Sequence, residues 1–148
     1  MIYKGMVVGV ISGTVLGLVL KWLEQLMSKK VYTLLLNVDF IPIIGDIKWP
    51  EWVEFVFHLV IAVIIGIVFM WIQNRFRHLS SGSMLVIAFL LTLPTIPLYF
   101  PLTALAIKAT PRIDDMGAFF YWTAGHILFA LSLWIGSFIY KRVWDITK

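Results

Sequence analysis

The chain has no cysteine, so a disulfide, a thiolate nucleophile and a cysteine-based metal site are all excluded. Charge is scarce too: 14% of the 148 residues are charged, against 61% that are hydrophobic. The net charge of +4 is spread without a basic cluster interleaved with polar face residues, so no nucleic-acid surface is expected. It reads as flanking charge beside anionic headgroups, which makes membrane lipids the expected partners. A phosphate loop, which needs GK[ST], is missing, as are a nucleophile elbow and an HExxH motif. The alternating pattern of membrane β-strands is absent as well.

What is present is apolar length. A soluble domain of this size leaves too much of its surface in water to hide a chain with mean hydropathy +0.94. A spanning helix needs ~20 largely apolar residues to cross ~30 Å of hydrocarbon. Four segments qualify, at about 5–27, 52–72, 84–107 and 118–140. Backbone polar groups cannot go unpaired in lipid, so these should be helices. The expectation is an all-α integral membrane protein, a single-domain bundle of four transmembrane helices. Lys4 precedes the first run as in a leader peptide. The run then continues for sixteen residues to Lys21 with no small-x-small site, so it is read as a span and not as a cleaved leader.

The connections between spans differ. Residues 73–83 and 108–117 are short loops that make their flanking helices antiparallel neighbours. Residues 28–51 form a longer, apolar loop that either lies on the membrane surface or folds back over the bundle mouth, and such loops are often functional. Lys4, Arg75, Arg77, Lys141, Arg142 and Lys148 fall on the side of the termini, six against the five of Lys29, Lys30, Lys48, Lys108 and Arg112. That excess predicts cytoplasmic termini. Trp49, Trp52 and Trp122 are expected at one interface and Trp71 and Trp144 at the other, with Trp134 packed inside.

Gly5, Gly9, Gly13 and Gly17 recur every four residues and so form one helical stripe for close backbone approach. The stripe serves packing within the bundle, the favoured reading, or the seam of a homo-oligomer. It runs on to Lys21, with Glu24 three residues later, where the two side chains can meet. In the second span Glu54 and His58 share a face with Ala62 and Gly66, and in the fourth His126 follows Gly125. Ionisable groups within a span are costly and face a cavity or a partner. Chain direction brings Lys21, Glu24, Glu54, His58 and His126 toward one end of the bundle.

Several chemistries suit that polar cluster. Histidine titrates near neutral pH, and a carboxylate one turn away suits a proton relay or pH sensor. Two histidines and a carboxylate suit a divalent metal, and two histidines on separate helices suit haem. A structural polar network that fixes helix register is the plainest alternative, and no cofactor is expected. The third span contains Pro94, Pro97 and Pro101, each of which removes a helical hydrogen bond. It should be broken or kinked, with Thr92, Thr95 and Thr103 available to freed carbonyls. A pocket beside the break, near both histidines, is the expected binding site.

The glycine stripe leading into Lys21-Trp22-Leu23-Glu24, His58 opening a small-residue face, the proline-broken third span and Gly125-His126 before a helix closed by Lys141-Arg142 together resemble the YagU-like bacterial inner-membrane proteins. The chain differs after Glu24, where Gln25-Leu26-Met27 stands in place of that family's proline pair and arginine. The resemblance implies a bundle fold and an inner-membrane location, and no established activity. The expected role is non-enzymatic, the handling of protons or a small ligand in envelope or acid-stress physiology. The alternatives are a metal-dependent membrane enzyme acting on a lipid and a scaffold that uses the glycine stripe.

Overall fold

The computed structural model describes residues 1–146, with side chains to Tyr140. The side chains of Lys141, Arg142 and Trp144, and Lys148 altogether, lie outside the described residues. The described chain is all-helical: α1 (Ile2–Met27), α2 (Val31–Leu35), α3 (Glu51–Arg75), α4 (Ser81–Thr92), α5 (Tyr99–Leu105) and α6 (Met116–Ile146). Four stretches are long and apolar enough to cross a membrane: Ile2–Met27, Glu51–Arg75, Ser81–Leu105 and Met116–Tyr140.

Local chemistry sets the helix ends. α1 stops where Ser28 turns left-handed (φ 54°) and returns its N–H to the Glu24 carbonyl. α3 follows the extended Pro50 and carries Glu51 and Glu54 in its first turn and Arg75 in its last, in the sense the helix dipole favours. Ser80 caps α4 by accepting the Ser83 N–H at 3.2 Å. Asp115 caps α6 through the Ala118 N–H at 3.0 Å.

The central element is α1, which packs on α3 along one face and on α6 along another. All four stripe glycines turn toward α3. A Cβ on Gly9 would lie 2.6 Å from the Ala62 carbonyl oxygen, one on Gly5 2.5 Å from the Ile67 Cα, and one on Gly13 2.5 Å from the Ala62 Cβ. Gly17 lies against the Phe55 ring, and Gly66 answers from α3, with the Gly5 carbonyl where its Cβ would be. Side-chain-free surfaces on both helices permit this approach. Toward α6, Leu16 and Leu20 fill the space over Gly125, while Val8 covers Gly136.

In the third apolar stretch the α-helix ends at Thr92, a 3-10 turn occupies Leu93–Thr95, and helix resumes at Tyr99. The carbonyls of Leu93 and Pro97, which the prolines four residues on cannot serve, accept from the Ile96 and Phe100 N–H groups at 3.2 Å each. The threonines act elsewhere: Thr92 donates to Ala88, Thr95 to Thr92 and Thr103 to Tyr99. A tryptophan attends to the break, with Trp122 Nε1 donating to the Thr95 carbonyl at 3.1 Å. Trp122 is therefore buried in the core. Trp134 is partly buried and donates to the Ser81 carbonyl at 3.1 Å.

The long first loop folds back over the bundle. Val31, Tyr32, Leu34 and Leu36 are buried, and Val38, Phe40, Ile41 and Ile44 form a cover over the space between α3 and the broken segment.

Candidate functional site

Beneath that cover lies a cavity of about 400 Å³, bounded by α1 at Leu16, by the first loop, by α3, by the break at Thr95, Leu98 and Leu102, and by α6. His58 and His126 both line it. His58 sits seven residues into α3 and His126 ten residues into α6, about 10 and 15 Å from the helix starts. Glu54, Asn37 and Trp122 complete its polar contacts, and most of the remaining wall is aliphatic or phenyl.

Each imidazole is oriented by a backbone carbonyl. His58 Nε2 donates to Gly13 at 3.0 Å, across the α1–α3 seam, where a Gly13 side chain would collide with Ala62 and Leu59. His126 Nδ1 donates to the Trp122 carbonyl one turn earlier at 2.8 Å, and the two rings meet at a tilt of 43° with centroids 4.4 Å apart. These acceptors set the tautomers: neutral His58 carries its remaining lone pair on Nδ1 and neutral His126 on Nε2. His126 is 4% exposed and lines both this cavity and a second recess between α4 and α6.

The five residues expected to converge divide into two groups. His58, His126 and Glu54 meet at the cavity wall. Glu54 does not turn to His58; its carboxylate takes the ammonium of Lys108 from the loop after α5. Lys21 and Glu24 lie outside, each with its own partner and not with each other. Lys21 pairs with Glu51 at 2.6 Å, and Glu51 also accepts the Tyr32 hydroxyl at 2.9 Å. Burial first, and then the Glu51 carboxylate, push the Tyr32 phenol upward from its ordinary value. Glu24 accepts both the backbone N–H and the hydroxyl of Thr33 at 2.8 Å, closing the first turn of α2. Lys21 and Glu24 thus hold the loop cover in place and border a separate recess with Tyr32 and Thr33.

Three residues that sequence reasoning did not single out contribute to the same end of the bundle. Asp39 Oδ2 accepts the backbone N–H groups of Ile107 and Lys108 at 2.9 and 2.6 Å, tying the cover to the α5–α6 loop. Asn37 is 4% exposed; its Oδ1 accepts the Asp39 N–H at 3.1 Å, while its Nδ2 is buried with no partner among the described residues. Lys29 pairs with Asp115 at 2.6 Å, which holds that carboxyl below the usual range together with the Ala118 N–H. The only available signal for Asn37 and Asp39 was two polar residues inside an apolar loop, a pattern with many innocent explanations.

Among the described residues no three histidine or carboxylate groups stand close enough to hold a metal ion. Compared with protein-family models, curated proteins and solved structures, the chain matches none. The reading of its function therefore rests on the cavity.

Proposed function

We propose that this is a YagU-like multi-pass protein of the bacterial cytoplasmic membrane, with both termini cytoplasmic, that binds a small apolar molecule within the bilayer and performs no chemistry on it. Support for the membrane comes from the outer surface of the bundle, where Leu18, Ile61, Ile64, Leu90, Phe120 and Ile135 are large, apolar and exposed. Water does not tolerate so continuous an apolar surface, and lipid does.

The observation that carries the binding reading is the histidine-lined cavity of about 400 Å³. It falls within the ~300–1,000 Å³ typical of small-molecule sites, with apolar walls and a few placed polar groups. Proton conduction has weaker support. Glu54 is engaged by Lys108, and each histidine spends an N–H on a backbone carbonyl. The glycine stripe is occupied by α3, which leaves the scaffold reading without a surface of its own.

Native mass spectrometry of the full chain, extracted in mild detergent, tests the proposal. The wild type should retain a bound amphiphile that a cavity-filling Leu102→Trp variant, equally monodisperse, does not. No retained molecule in the wild type, or equal retention in both, would overturn it.

A further inference from the structure

Resting on the cavity reading, we infer that the occupant is an uncharged single-chain lipid alcohol, an acyl or isoprenyl chain ending in a hydroxyl, taken directly from the bilayer.

The head is uncharged because of Glu54. Among the described residues it is the one charged side chain on the cavity wall, and Lys108 already holds it. An anionic head would meet that carboxylate inside a medium of low dielectric, and a cationic head would find it already paired. The head carries a hydroxyl because of the hydrogen bonds left open. His58 and His126 each spend one N–H on a carbonyl, so in the neutral state each offers its other ring nitrogen as an acceptor. A hydroxyl is the smallest uncharged group that donates to an imidazole nitrogen.

The remainder of the ligand is one flexible chain. α3 and α5 border the cavity from opposite sides without packing closely on each other. On that rim Val60, Ile61 and Leu98 are 50%, 56% and 46% exposed. The opening therefore lies at hydrocarbon depth, and its lips are aliphatic. A chain already dissolved in lipid slides in without crossing water.

The test uses the full chain in nanodiscs of neutral phospholipid doped with hexadecanol bearing a diazirine near its middle. After photolysis, peptides are mapped by mass spectrometry, with excess hexadecanol, palmitate or hexadecane as competitor. Expected is labelling of the α3 segment around Ile61 and the segment around Leu98. Hexadecanol should compete at least about tenfold better than hexadecane or palmitate. The His58→Phe variant keeps an aromatic ring and removes one acceptor from the wall, so it should lose labelling roughly tenfold. If it does not fold, the competition series on wild type decides alone. Equal competition by hexadecane, or preference for palmitate, overturns the alcohol assignment and leaves the cavity reading intact. Labelling confined to the outer faces of α1 and α6 overturns both.

Discussion

His58 on α3 donates its Nε2–H to the carbonyl of Gly13 on α1, 3.0 Å away, at a point where a Gly13 Cβ would lie 2.5 Å from the Ala62 Cβ. The glycine stripe brings two backbones together, and that approach puts a carbonyl within reach of a titratable ring. Stability and site geometry are coupled at that contact.

The stripe should be intolerant of even one methyl group. Gly9→Ala places a Cβ 2.6 Å from the Ala62 carbonyl oxygen, against backbone that cannot turn aside. A loss of about 1–3 kcal/mol is expected from overpacking, read as a lowered thermal midpoint in detergent. Gly82→Ala is the control, because its Cβ would meet only the Ser80 Oγ at 3.8 Å. Equal stability of the two variants would contradict the seam.

Lys108→Met should be more harmful than its surface position suggests. It leaves Glu54, whose side chain is 10% exposed, without its counter-charge, whereas the Lys108 side chain is itself 40% exposed. The expected cost is about 1–3 kcal/mol, below that of a fully buried pair because solvent screens one partner. Adding Glu54→Gln to the same chain should recover much of it, and a double-mutant cycle of chemical unfolding measures the coupling. Additive losses would show that the pair does not interact.

Acid should loosen the junction between α1 and α6. The Lys29 ammonium and the Ala118 N–H hold the Asp115 carboxyl below its ordinary value. A carboxyl depressed in the folded state adds stability at every pH above the unfolded value of about 3.9, and loses it as pH falls through the lower folded value. From pH 7 to about 4 the difference in thermal midpoint between wild type and Asp115→Asn should be constant. Below about pH 4 it should shrink, since asparagine can still cap the helix but cannot pair with Lys29. A difference that grows on acidification would reverse the sign and refute the assignment.

Vesicles containing the protein and a pH-sensitive dye should leak protons no faster than empty ones, and His58→Ala with His126→Ala should change nothing. The reason is that Glu54 is held by Lys108 and each imidazole by a backbone carbonyl. Faster leak in the wild type than in the double variant would instead establish a relay.

The expected pocket beside the proline break, near both histidines, coincides with the cavity at Thr95, Leu98, His58 and His126. It was legible because proline and histidine are both conspicuous in an apolar run, and helix direction alone sets their depth. The partners of the charges were not legible. Lys21 and Glu24 are three apart and look like a pair, yet Glu51 lies thirty residues away in sequence and 2.6 Å away in space. Trp122 has the sequence surroundings of an interfacial ring, but only the break in a neighbouring segment offers its N–H a carbonyl.

Alone, the sequence determined the apolar helices, their approximate ends and the face on which α1 has no side chains, because hydropathy and helical periodicity are properties of neighbours along the chain. Tertiary structure decided which carboxylate meets which ammonium, that the first loop covers the cavity, and that Asn37 is left with an unspent donor. Those outcomes depend on distances between residues far apart in the chain, which no local pattern encodes.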